Sequence, residues 1–302
     1  MIFSKIPLVS IFLLSTLVLS CGKLAEDNYT IDTNEEMAQQ IGDALVSIDE
    51  SGGKSDGSIA KFNPTGYEKA FARLNPKGMN ISDLLIPKSF AATCSATPFS
   101  CNPGTGVATR SFTDCTLAGG GTTTGSVTLT FTGTGLSSCT IPMANDKVTR
   151  SPNYQIAGFR GATFKVSAVS TGQSLTRVNA TSFNFSSTGI RRTFTTSSDK
   201  VVLDMTSLTT GPISVTGATR GLPRTLNGGS LMIIDNLTSI SCTMSHTNVA
   251  WGSTCNCPIS GSWAGGCTDG TALQVVYGST CGQAVVTKGS VMKTITMDRC
   301  QP

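Results

Sequence analysis

The sequence predicts a mainly β protein. It is an antiparallel sandwich, barrel or wrapped sheet, preceded by a signal peptide and two short N-terminal helices. Three observations predict it. From Ala91 onward apolar residues recur with a period of two, and no helical pattern intervenes to carry a parallel crossover. Charged residues are only 13%, Gly numbers 32, and Ser and Thr are abundant, the makeup of a β-rich extracytoplasmic chain. There are 11 cysteines, and disulfides persist only in an oxidising compartment.

The chain opens with Lys5 and then an apolar run, Ile6 to Leu19. A signal-peptide core is about 7–15 residues. A spanning helix needs about 20. The polar residues Lys23, Glu26 and Asp27 follow at once, so removal of residues 1–20 is expected rather than membrane spanning. Val18-Leu19-Ser20-Cys21 resembles the lipobox of bacterial lipoproteins, with an aliphatic residue three before the cysteine and a small one just before it. Leu19 is bulkier than the usual middle residue. The resemblance implies that Cys21 carries a diacylglycerol thioether and a third acyl chain such as palmitate. Two or more chains anchor a protein stably, whereas one does not. Gly22, where retained lipoproteins carry Asp, implies the outer membrane.

Residues 21–33 then form a lipidated tether, and 34–90 a helical segment. Thr33-Asn34-Glu35-Glu36 reads as a capping box. Met37, Ile41, Leu45 and Ile48 share one face, which predicts a helix over 34–49 docked on its own domain or on a partner. Residues 51–58 are a Gly/Ser linker. Thr65 opens a second helix with Tyr67, Ala70, Phe71 and Leu74 on one face, ended by Asn75-Pro76-Lys77-Gly78. Residues 23–90 hold 7 basic and 11 acidic groups and residues 91–302 hold 14 and 7, so the sign of charge changes at the boundary.

Residues 91–302 form the disulfide-linked β domain. In Ser126 to Thr132, Val127, Leu129 and Phe131 face one way and hydroxyls the other. Further strands are expected over 163–169, 182–186, 200–205, 212–216, 230–234, 272–277, 283–287 and 291–297, separated by Gly, Asn, Asp and Ser clusters. Once Cys21 is set aside, ten cysteines remain for bridges: Cys94, Cys101, Cys115, Cys139, Cys242, Cys255, Cys257, Cys267, Cys281 and Cys300. Local closure suggests Cys94–Cys101, Cys115–Cys139 and Cys257–Cys281, leaving Cys242–Cys255 and Cys267–Cys300. Cys257-Pro258-Ile259-Ser260-Gly261, Val275-Val276-Tyr277 and Cys281-Gly282-Gln283-Ala284-Val285 resemble segments of uncharacterised proteobacterial lipoproteins, which bring no activity with them.

Candidate chemistry is sparse. His246 is the only histidine, and no G-x-S-x-G elbow presents a serine to it. Cys255, Cys257, Cys267 and His246 lack zinc-ligand spacing, so neither metal nor cofactor is expected. Ser51–Lys54 and Ser197–Lys200 match S-x-x-K without a companion K-T-G. Arg177, Arg191, Arg192, Lys200, Arg220 and Arg224 are a candidate anion-binding patch, or else scattered charge. Trp251 and Trp263 either stack on sugar rings or pack beside a disulfide. Aromatics at 6% do not alternate with the basic set, so no nucleic acid is expected. These features imply a non-enzymatic envelope protein. Its expected contacts are the membrane through Cys21 and an anionic envelope polymer or a protein partner. The alternative is a glycan hydrolase using Asp204, Asp235 or Asp269, or a carbohydrate-binding adhesin.

Overall fold

The computed structural model describes residues 31–51, 70, 73–74, 100–116, 121–158, 161–217 and 224–300. The signal peptide, Cys21 and the tether as far as residue 30, residues 52–58 of the linker, Cys94 and Arg220 lie outside the described residues; residues 31–33 of the expected tether lead into the helix, and Ser51 of the expected linker ends it. The described residues form one compact unit.

Helix α1 spans Thr33–Ser51. Its cap differs from the expected box. Asp32, not Thr33, accepts from the Asn34 and Glu35 amides, each at 3.1 Å. Asp32 also meets Lys293 Nζ at 3.2 Å, while the Glu36 carboxylate turns inward to Arg73. An N-cap acceptor satisfies amides that have no intrahelical partner, and Asp32 does so while holding a cation. Met37, Ile41, Leu45 and Ile48 are buried as their spacing requires. So are Glu36, Gln40, Asp43 and Ser47 on another face, and every residue from 35 to 48 is buried. Of the second helix, Ala70, Arg73 and Leu74 are described and are helical.

All strand pairs among the described residues are antiparallel, in one sheet of 17 strands. They are β1 (Ser100–Asn102), β2 (Val107–Thr116), β3 (Thr122–Thr132), β4 (Lys147–Ala157), β5 (Thr163–Ala168), β6 (Gln173–Asn179), β7 (Ser182–Ser187), β8 (Ile190–Thr195) and β9 (Val201–Thr209). Then come β10 (Ile213–Thr216), β11 (Arg224–Asn227), β12 (Leu231–Asp235), β13 (Ile240–Trp251), β14 (Pro258–Cys267), β15 (Ala272–Tyr277), β16 (Gln283–Lys288) and β17 (Val291–Thr296).

Strands β1 to β4 form a meander. At β4 the sheet branches, because residues 147–150 pair with β6 and residues 153–157 with β5. One ribbon runs β5–β8–β9–β12 and the other β6–β7–β10–β11. Both rejoin at β13, which pairs with β12 over 240–244 and with β11 at 250–251. A second meander runs from β13 to β17.

Each branch point carries a sequence irregularity. Pro152, which has no N–H for a ladder, sits between the two halves of β4. In β13 the register slips between Thr247 and Trp251. There Asn248 has a φ of 52°. Gly261 (φ 85°) lies opposite, and a Cβ on it would stand 2.3 Å from the Asn248 carbonyl oxygen, so only glycine fits.

Large buried side chains, including Phe131, Phe164, Phe185, Phe194, Ile141, Ile156 and Trp263, fill the core. The side chains of α1 meet several parts of the sheet. Met37 Sδ lies 3.8 Å from Cys242 Sγ on β13, and Gln39 donates to the Thr296 carbonyl on β17 at 2.9 Å. Gly42 lies so close to Met297 that a Cβ would stand 2.7 Å from its sulfur.

Among the described residues four disulfides form: Cys101–Cys139, Cys242–Cys267, Cys255–Cys281 and Cys257–Cys300. Eight of the predicted cysteines are therefore bridged, but each of the five expected pairings that involves them is corrected. Cys101 bridges Cys139, which removes Cys94–Cys101 and Cys115–Cys139 together. Cys242 faces Cys267 directly across β13 and β14, rather than Cys255. Cys255 and Cys257 share one loop but part, to Cys281 and to Cys300, in place of Cys257–Cys281 and Cys267–Cys300. Cys115 is described only as backbone in β2.

Candidate functional site

Among the described residues a buried polar network runs along α1. Arg73 meets Glu36 through Nη1, and its Nη2 lies 2.9 Å from Asp298 Oδ2. Arg192, 1% exposed, places Nη1 2.9 Å from Asp43 Oδ2 and its guanidinium 5.2 Å above the Phe164 ring. Arg150 donates to Gln173 Oε1 at 3.1 Å and to Ser47 Oγ at 3.4 Å. Gln39 Oε1 accepts from the Asp298 amide at 3.0 Å. Burial pushes the Glu36 carboxyl up, against the opposing pull of Arg73 and Arg192. Its Oε2 meets no hydrogen-bond donor. This network locks α1 to the sheet. None of its members except Arg192 was singled out as a site residue by sequence, because sequence does not show that a charge is buried.

The basic set does not gather into a surface patch. Arg177 is buried, donates to the carbonyl of Ile141, and lies over the Phe183 ring at 4.9 Å. Arg224 is buried and donates to the Gly217 carbonyl at 3.0 Å. Arg192 belongs to the α1 network. Arg191 is half exposed but forked onto Asp204, with Nε 2.7 Å from Oδ1. Of the described members, Arg191 and Lys200 are exposed, Lys200 at the β8–β9 turn.

The three carboxylates considered for hydrolysis stand on separate elements. Asp204 on β9 takes Arg191 and, at 2.9 Å, Asn236 Nδ2. Arg191 and Asn236 hold its carboxyl below the usual range. Asp235 ends β12 and accepts from the Leu237 amide (3.0 Å) and the Thr238 hydroxyl (2.8 Å). Asp269, in the β14–β15 turn, accepts from the Thr271 hydroxyl (2.6 Å) and amide (3.0 Å), with Lys288 at 3.3 Å. The Thr271 bonds hold it low as well. A glycosidase's general acid needs a raised carboxyl, so Asp204 and Asp269 are tuned the wrong way.

Trp251 and Trp263 are both buried, so neither offers a ring face for sugar. Trp251 Nε1 donates to the Asn256 carbonyl at 3.2 Å. Trp263 packs edge-on against His246, with centroids 5.1 Å apart. His246 Nε2 bonds the Gly228 carbonyl at 2.7 Å, and Ser245 Oγ lies 3.2 Å from Ser230 Oγ. Cys255, Cys257 and Cys267 are bridged, so they carry no thiolate for a metal. Among the described residues no group of His, Cys, Asp and Glu could hold one. Ser197–Lys200 lies in a turn closed by the Thr196 and Lys200 backbones at 2.9 Å.

The class defined so far is an antiparallel β protein clamped by disulfides and built against a buried, charged helix. No family model, no curated protein and no solved structure matches the chain.

Proposed function

We propose that the protein is a lipid-anchored, non-enzymatic module of the bacterial outer membrane that binds or spaces other envelope components. The observation that carries the reading is the four disulfides. Such bridges persist after export and are rare in the cytosol. Export requires a targeting signal, and the lipobox-like Val18-Leu19-Ser20-Cys21 supplies one together with an attachment point for acyl chains. The proposed architecture is a wrapped sheet with α1 as its filling. Residues Cys242, Thr296, Arg192 and Arg150, drawn from β13, β17, β8 and β4, all touch α1. Such a body resists deformation, as a spacer or scaffold must. The local commitments of Asp204, Asp235 and Asp269 weigh against the hydrolase alternative.

Radiolabelled palmitate is the test. The label enters the wild-type protein and is lost in Cys21→Ser, and wild-type protein sediments with outer-membrane fractions. A wild type that takes up no label defeats the reading.

A further inference from the structure

We infer that the tip of the β16–β17 hairpin, Val291 with Met292, is the part of the body that rests on the bilayer. This inference rests on the lipid-anchored reading above. Val291 is 56% exposed and Met292 71%, the highest value among the exposed large apolar side chains described. They follow the turn Gly289-Ser290 and stand between Lys288 and Lys293. In β17 only Ile295 is buried, so the two apolar residues at its start contribute nothing to the core. Exposed apolar side chains beside the half-exposed Lys293 suit the headgroup–acyl boundary, where the apolar part enters and the ammonium group stays wet; the Lys288 side chain is largely covered. Lys288 is balanced by Asp269, and Lys293 by Asp32 and Glu35, so apolar contact rather than net charge drives the docking.

The course of the chain names the occupant. The polypeptide enters the compact body at Ile31. Asp32 Oδ2 lies 3.2 Å from Nζ of Lys293, the residue next to Met292. About ten residues separate Cys21 from Asp32, at most about 35–40 Å of extended chain. A bilayer that holds the acyl chains of Cys21 is therefore within tether reach of this tip. The antiparallel ladders from β17 back to β4 put the tip at the Ala157 end of β4. Met143, 59% exposed, precedes the Lys147 end and serves as the comparison site.

The test uses the full, lipidated chain in vesicles of phosphatidylethanolamine and phosphatidylglycerol carrying brominated acyl chains. Met292→Trp fluorescence should be quenched by about half or more, while Met143→Trp stays within the background of the two native tryptophans. On the unsubstituted protein, amide exchange at residues 291–293 should slow when vesicles are added. Palmitate uptake is measured on the same samples. Uptake with no quenching at 292 and no slowing overturns the docking and leaves the anchor standing. Equal quenching at 143 and 292 overturns the orientation. Absence of uptake removes the anchor reading and the docking with it.

Discussion

Asp43 and Arg192 show what one residue can demand of this fold. Arg192 is 1% exposed, and its nearest carboxylate, 2.9 Å away, comes from the helix. Removing one member of a buried pair leaves the other's desolvation uncompensated, whereas replacing both by apolar groups often does not. Asp43→Ala should therefore lower unfolding stability by about 3 kcal/mol or more. Asp43→Leu combined with Arg192→Met, which keeps a long side chain over Phe164, should lose clearly less. Urea unfolding of the three proteins checks this, and a double variant weaker than the single one would refute it. The sequence could not disclose the pair. Arg192 reads as a surface cation beside Arg191, and only the pairing of β8 with β5 and β9 turns one inward and the other out.

At the scale of the element, most of the legible strands have apolar inward positions, with β9, which also buries Asp204, Thr206 and Ser207, as an exception. The runs at 126–132, 163–169, 182–186, 200–205, 212–216, 230–234, 272–277, 283–287 and 291–297 all fall on observed strands. The missed ones mostly carry polar residues inward or break their alternation. β4 buries Arg150 and contains Pro152, β6 buries Gln173 and Arg177, β8 buries Arg192, and β11 buries Arg224. β13 is interrupted by its slip in register, and β14 is rich in glycine. Closure by the shortest loops misassigns the bridges because each of the four spans 25 to 43 residues, and Cys242 meets Cys267 across regular β13–β14 pairing that spacing alone does not reveal. Three of the four bridges join parts of the chain from β13 onward, and that wing also packs on α1 through Cys242, Thr296 and Met297. Each bridge closes 25 to 43 residues and stabilises mainly by restricting the unfolded chain, by about 3–4 kcal/mol. Cys257→Ala with Cys300→Ala should melt about 5–10 °C lower. It should raise amide exchange first in β14 to β17 and α1. Cys101→Ala with Cys139→Ala should instead loosen β1 to β3. Exchange rising equally in both regions for either variant would show that the wings do not open separately.

Across the whole molecule, the change of charge sign near residue 90 has an internal use. The acidic helix supplies Asp32, Glu35 and Asp43, and the basic β region answers with Lys293 and Arg192. Read from sequence the asymmetry marks a boundary; in the structure α1 and the strands form one unit, and the two signs meet across it. Stability should therefore depend on acid. Asp204 is held low by Arg191 and Asn236. For Asp32 and Asp146 burial acts upward, but hydrogen bonds outweigh it. Those bonds come from the Glu35 and Asn34 amides and Lys293 in one case, and from the Met143, Thr134 and Gly135 amides with the Thr134 hydroxyl in the other. A carboxyl lowered in the fold contributes stability above its unfolded value of about 4, and that contribution is lost as pH falls through the folded value. Glu36, pushed up by burial, acts in the opposite sense, but it is one group against four, the exposed Asp269 held low by Thr271 being the fourth. The urea midpoint should hold near neutrality and drop as pH goes from about 4 to 2. Asp204→Asn should start lower at pH 7 and fall by less over that range, because it has one fewer proton to take up. A wild-type midpoint that rises or stays level on acidification would mean that these carboxyls are not held low by the fold.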